Sequence, residues 1–284
     1  MLKRIVGVIV FISTLQVANA QMYDAYVHKG ELGASIGLGH YFGDLNTNAA
    51  INKPKFSAGV YYLKQFNGYV GMKIDGSYTF LGYSDANSPN VVQRTRNLSF
   101  NTDIYELSVS GYFNFFKFLP GFPEYSYTPY VSLGVGVFSY DPYAYLGGEK
   151  YYLRSIGTEG QGSTQYPERK QYGGTAMSIP LSFGFKHAIN ERMNWYAEVA
   201  YRFTGTDYLD DVSTTYAPDA FPVDVNTGLP TIGYLLQDRS GELLGTGIGT
   251  KGRQRGNSTQ KDAFVTFRVG LSFNLQSYKC PTAK

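Results

Sequence analysis

Apolar positions alternate with small or polar ones at a period of two along most of the chain, the mark of strands whose two faces meet different surroundings. Leu32, Ala34, Ile36 and Leu38 interleave with Gly33, Ser35, Gly37 and Gly39, and Phe56, Ala58, Val60 and Tyr62 with Ser57, Gly59 and Tyr61. Val70, Met72, Ile74, Tyr78 and Phe80 interleave with Lys73, Asp75, Ser77 and Thr79. Tyr105, Leu107, Val109, Phe113 and Phe115 interleave with Glu106, Ser108, Ser110 and Asn114. Val131–Val137, Ile179–Phe185, Trp195–Phe203 and Ala263–Phe273 repeat the pattern, which makes eight segments. Each is long enough for a tilted membrane strand of about 9–11 residues.

The alternation alone fits a secreted β-sandwich, apolar side inward, as well as a membrane barrel, apolar side outward. Two features favour the barrel. The polar side is rich in Gly and Ser with single charges near strand centres: Lys73, Lys186, Arg202 and Arg268 against Asp75, Glu106 and Glu198. A narrow lumen wants small residues and charges that neutralise one another. The connections also alternate in length, at about 40–54, 66–68, 83–102, 117–127, 141–174, 187–194 and 205–261. Long outer loops opposite short periplasmic turns, with both termini inside, are the rule for outer-membrane barrels. The expected fold is all-β: an eight-stranded antiparallel up-and-down transmembrane barrel with long extracellular loops. At eight strands the interior is filled by side chains, so no wide pore is expected. Tyr41, Phe42, Tyr69, Tyr83, Tyr127, Tyr140 and Tyr196, at segment ends, are expected in interfacial girdles.

The N-terminus reads as an address. Lys3 and Arg4 precede a mostly apolar run, Ile5–Val17, and Ala18-Asn19-Ala20 is a small-x-small cleavage pattern. The run is shorter than the roughly 20 residues a spanning helix needs. Residues 1–20 are therefore expected to be a cleaved signal peptide and 21–284 one barrel domain. Composition agrees: 33 glycines, 26 tyrosines and 19 phenylalanines accompany only 17% charged residues. A net charge of +3 argues against nucleic acid. One cysteine excludes an internal disulfide framework and a cysteine-rich zinc module.

Candidate chemistry is sparse. His28, His40 and His187 are the histidines; His40 with Asp44 is the nearest thing to a rim acid–base pair, and an interfacial loop histidine is the preferred reading. Asp207, Asp210 and Asp211 bring carboxylates together as a Ca²⁺ loop does, but without its ligand spacing, so a solvated turn is preferred. Lys251, Arg253 and Arg255 form a short basic run, read as solvated loop with lipid headgroups as the alternative. The glycine-rich stretch 245–250 lacks the strand-then-helix setting of a nucleotide loop. No catalytic set, cofactor or metal is expected. The turn Phe116–Tyr125 is unusually apolar, with Phe116, Phe118, Leu119, Phe122 and Tyr125. Such residues either form a partner-binding patch or plug and anchor the barrel rim.

Three stretches resemble one family. Residues 31–45, ELGASIGLGHYFGDL, the segment 206–213, TDYLDDVS, and the end from Lys261-Asp262-Ala263-Phe264 through Phe273 to Lys279-Cys280-Pro281 are similar to PorG-like barrels of the type IX secretion system. The resemblance implies a non-enzymatic outer-membrane barrel that anchors a periplasmic ring built from a lipoprotein and its partner. The alternative is a generic surface barrel: an adhesin, a small-ligand channel or a rim enzyme. By strand parity the working periplasmic face would gather Gln21–Lys29, the 116–125 and 187–194 turns and the tail from Gln276. Cys280, as an odd cysteine in an exported chain, is expected to bridge to the ring lipoprotein, with a homodimeric bridge or a free thiol as alternatives.

Overall fold

The computed structural model describes residues 26–278. The expected leader, the side chains of Gln21–Lys29 including His28, and the tail from Gln276 with Cys280 lie outside the described side chains. Within the body Lys29–Leu275, eight long antiparallel strands close on themselves. They are β1 (Tyr26–Phe42), β2 (Lys55–Gln65), β3 (Val70–Ser84), β4 (Ser99–Asn114), β5 (Tyr127–Ser139), β8 (Thr175–Ala188), β9 (Met193–Thr204) and β10 (Ala263–Tyr278). A short hairpin between β5 and β8, made of β6 (Tyr143–Leu146) and β7 (Glu149–Tyr152), joins β4 where Asn101 faces Tyr143. Each barrel strand pairs with its neighbour in sequence, and β10 beside β1 completes the ring. Connections 66–69, 115–126 and 189–192 gather at one end, the turn end; 43–54, 85–98, 140–174 and 205–262 gather at the other, the loop end.

All eight segments have the expected phase. Along β4, Tyr105, Leu107, Val109 and Phe113 are exposed, while Glu106, Ser108, Ser110 and Asn114 are buried. Ile36, Val60, Leu133, Met177, Phe183, Val199 and Phe267 continue this belt around the ring. Exposed large apolar residues outside and a polar interior are the inverse of a water-soluble protein, and define a membrane barrel.

Towards the loop end the pattern reverses within the same strands. Beyond Tyr105, the outward positions of β4 are Asp103, Asn101 and Ser99, and the inward ones Ile104, Thr102 and Phe100. Tyr41, Leu81, Tyr83, Phe138, Tyr140 and Phe264 join Phe100 and Ile104 in a buried apolar cluster. The strands thus run out of the belt into a region built like a soluble protein. This corrects the girdle expectation: Tyr41, Tyr83, Tyr140 and Tyr196 all lie inside, at 5% exposure or less. Tyr69 and Tyr127 are exposed near the turn end, and Phe42 is half-buried.

The turn end of the lumen has a floor of four tyrosines, Tyr61, Tyr112, Tyr130 and Tyr196, packed with Leu63. Two glycines make room for it. Gly33 lies directly opposite Tyr61 and Gly184 opposite Tyr130. A Cβ at either would come within 2.3 Å of the facing ring.

Candidate functional site

The strands bring every one of the expected lumen charges together. Near the middle, Lys73 Nζ lies 2.7 Å from Glu198 Oε2 and 3.7 Å from Asp75, and Arg268 Nη2 lies 3.2 Å from Asp75 and 3.3 Å from Glu198. Tyr130 donates to Glu198 at 3.0 Å. Towards the loop end, Arg202 Nε donates to Glu106 at 2.6 Å, and Ser178 donates to the other carboxylate oxygen at 2.6 Å. Towards the turn end, Lys186 Nζ reaches Glu31 at 2.8 Å, and the Tyr61 hydroxyl donates to the same carboxylate. Glu31 was not among the residues expected here. Its signal was its phase, since it shares the inward positions of Gly33 and Ser35. With it, four cations face four carboxylates, so this lumen cluster carries no net charge.

The apolar turn divides. Phe118 is wholly buried, its ring 4.7 Å from Lys186 Nζ, and its N–H donates to the Gly68 carbonyl at 3.1 Å. It plugs the turn end and is no part of an exposed patch. Phe116 and Phe122 are half-exposed, while Leu119 and Tyr125 are partly covered, Tyr125 by the Lys117 ammonium at 4.9 Å. His187 stands at this end beside Trp195.

The loop end is tied by one buried polar network. Arg255, from the 205–262 loop, lies 3.1 Å from Glu159 of the 140–174 loop and 3.6 Å from Asp211. Glu159 also accepts from the Ser213 and Thr214 N–H groups and the Thr214 hydroxyl. Arg96, in the 85–98 loop, pairs with Asp85 at 2.7 Å and donates to the carbonyls of Arg255 and Asp44. All four long loops are thereby linked. Arg255 is therefore not part of a solvated basic run: it is 3% exposed, while Lys251 pairs with exposed Asp219 and Arg253 is exposed.

Nor are the three aspartates a solvated turn. Asp211 accepts from Thr158 and from Tyr172, the latter at 2.6 Å, and Asp207 accepts from Ser213 at 2.6 Å. The Tyr41 hydroxyl donates to Asp210 and stands 3.2 Å from Asp262. Burial pushes the Asp207 and Asp211 carboxyls up to about 6. Asp210 and Asp262 rise well above the ordinary range, through burial first and then neighbouring carboxylates. Asp207, Asp210 and Asp211 have separate partners, Asp210 sharing Tyr41 only with Asp262, and among the described residues no group of three or more His, Cys, Asp or Glu is placed to hold a metal.

His40 is buried, its Nε2 2.7 Å from the Ala50 carbonyl, whereas Asp44 accepts from the Asn257 N–H at 2.7 Å. They have different partners and do not form a dyad. The glycine-rich stretch wraps an internal carboxylate, with the Gly249 N–H donating to Asp238 at 2.6 Å.

A closed eight-stranded barrel with an apolar outer belt, a charge-balanced lumen and a folded cap is the class these features define. The sequence profile of the family described as "Domain of unknown function (DUF6089)" matches residues 3–220, and the chain belongs to this family. No curated protein matches it in sequence. Similar solved structures include Neisserial surface protein A, 11% identical over 87% of this chain and 97% of that one, with a TM-score of 0.42. Yersinia pestis Ail, crystallised with the heparin analogue sucrose octasulfate, is 12% identical over 87% and 99%, at 0.39. A major outer membrane protein of Thermus thermophilus is 10% identical over 87% and 100%, also at 0.39.

Proposed function

We propose that the chain is a non-enzymatic outer-membrane barrel of a type IX-like secretion apparatus, with its turn end and both termini in the periplasm, where it anchors a ring built from a lipoprotein and its partner. The filled lumen carries this reading. A barrel blocked by a neutral charge network and by Phe118 works through its surfaces, not through a passage. The exposed belt supports contact with membrane lipid. At the turn end, connection 115–126 is longer than 66–69 or 189–192 and presents Phe116 and Phe122. The PorG-like stretches at 31–45 and 206–213 supply the secretion assignment. The separate commitments of His40 and Asp44 support a non-enzymatic role.

The test is affinity capture from a mild detergent extract. Phe116→Ser with Phe122→Ser is expected to release the ring while leaving the heat-dependent gel shift of a folded barrel unchanged. Capture that survives this change, but is lost on trimming 222–230, would move the working face to the loops. Cys280 extends the reading: a bridge to the ring lipoprotein gives a heavier band on non-reducing gels that disappears with Cys280→Ser. Full labelling of that thiol by a membrane-permeant maleimide in intact cells leaves no bridge.

A second reading, a surface barrel acting through its loops, has one observation in its favour. The loop cap is a built structure, held by the Arg255–Glu159–Asp211 and Arg96–Asp85 clusters.

A further inference from the structure

The outer wall of the barrel carries two cavities in line on the same strands. The first lies at the loop-end edge of the belt. β2 stops pairing with β3 at Ser57 opposite Thr79, while β3 runs on against β4 to Ser84 opposite Ser99. The notch this leaves is a cavity of about 270 Å³ lined by Lys53, Lys55, Ser84, Asn87, Ser99 and Asn101, among others. No carboxylate lines it. Neither lysine has a carboxylate partner among the described residues. Lys55 Nζ rests 5.3 Å from the centre of the Phe80 ring, which holds the ammonium at the border between apolar wall and polar notch.

The second cavity is an apolar groove of about 500 Å³ in the belt, lined by Leu32, Ala34, Val60, Ile74, Gly76 and Leu107, among others. Gly76 opens it: a Cβ there would meet only Val60, at 4.0 Å. Gly76 faces Val60 on β2 and Leu107 on β4, and six residues further along β3 Gly82 lines the notch. Six strand residues span about 20 Å. At a tilt of 35–45° that is about 15 Å along the membrane normal, half of a hydrocarbon core of about 30 Å. Tyr78 and Phe80 pave the wall between.

We propose that this strip is a binding site for one anionic lipid, its phosphate headgroup held by Lys53 and Lys55 with the hydroxyls and amides of the notch, and its acyl chain laid over Tyr78 and Phe80 into the Gly76 groove. The chemistry is that of a phosphomonoester on a membrane amphiphile. A polar, cationic pocket at the edge of the belt suits the head, and the aligned groove suits the tail. Asp103 is the carboxylate on the path; it accepts from Tyr78 at 2.6 Å and faces Phe80 across the strand pair, below the notch. Arg239 adds a third cation beside Ser99, donating to it at 2.9 Å while paired to Glu242. The site depends on the belt facing lipid and not on the secretion reading.

The experiment uses full-length barrel in phosphatidylcholine vesicles containing a minor fraction of phosphatidic acid, extracted gently and measured by native mass spectrometry for retained lipid. One phosphatidic acid is expected to remain in preference to phosphatidylcholine. Each lysine near a membrane surface is worth about a fivefold factor in anionic lipid binding, so Lys53→Gln with Lys55→Gln is expected to cut that preference by about thirtyfold. Gly76→Leu, which fills the groove, is expected to reduce retention with both lysines intact. The heat-dependent gel shift confirms that each variant is folded. Equal retention of the two lipids, or retention unmoved by the lysine pair, overturns the site. Displacement by millimolar inorganic phosphate, with Gly76→Leu silent, would mean an anion pocket without an acyl groove, and overturns the proposal as stated.

Discussion

Glu31 and Lys186 meet near the turn end of the lumen, from β1 and β8, which are not neighbours in the ring, and neither is tolerable there without the other. A lone charge in a crowded lumen loses its hydration and gains nothing in return, whereas a pair keeps the Coulomb term and its hydrogen bonds. Removing one member of such a buried pair costs about 3–5 kcal/mol. Glu106→Ala, which strands Arg202 beneath the Phe264 ring, is therefore expected to lower the urea midpoint of the reconstituted barrel sharply. Glu106→Ala combined with Arg202→Ala is expected to cost less than Glu106→Ala alone, and an unmoved midpoint in the single variant would show that the pair does not support the fold. Phe118 allows a sharper test at the turn end. Phe118→Ala should cost about 3–5 kcal/mol, as for other buried aromatics. Half-exposed Phe122→Ala should stay within about 0.5 kcal/mol. Equal effects would contradict the division of that turn into a plug and an exposed rim.

At the scale of elements, the loop cap depends on buried acids that outnumber their cations. Asp207 and Asp211 sit at about 6 in the cap against an ordinary 3.8, and Asp210 and Asp262 are raised further. A carboxyl raised by folding stabilises the fold fully below its ordinary value, and this contribution is lost as pH rises through the folded value. For Asp207 and Asp211 the loss falls between about pH 4 and 6; for Asp210 and Asp262 it extends higher. The 140–174 and 205–262 loops should be cut more slowly by a protease at pH 5 than at pH 8, after correction for the protease's own pH dependence. Asp211→Asn, neutral at every pH, should shrink that difference. Cutting that is slower at pH 8 would reverse the sign and remove the argument. This network escaped sequence reading because Glu159 and Arg255, its central pair, are 96 residues apart. Neither loop has a periodic pattern to show that its charges turn inward. Phe118 was ambiguous for a related reason, since an apolar residue in a turn looks the same in sequence whether it folds into the lumen or out of it.

For the whole molecule, the filled lumen predicts a barrel that inserts into planar bilayers without a large, steady conductance; a stable channel passing sugars would contradict it. The strand count, the phase of every strand, the gathering of the long loops at one end and the seven inward charges were all legible in the sequence. The reason is that a strand exposes alternate residues to two environments, and lipid on one face imposes a strict choice at every second position. Tertiary structure alone decided what happens beyond the belt. The alternation reports that two faces differ but not which is wetter, and beyond Tyr105 the outward side of β4 turns polar while the inward side becomes an apolar core under the cap. The same period therefore continues with its meaning reversed, which carried Tyr41, Tyr83 and Tyr140 from an expected girdle into a core. Pairing among the charges, the closure of the turn end by Phe118 and the joining of four loops through Arg96 and Arg255 are likewise products of folding. Each depends on contacts between residues far apart in the chain, and only closing the ring brings them together.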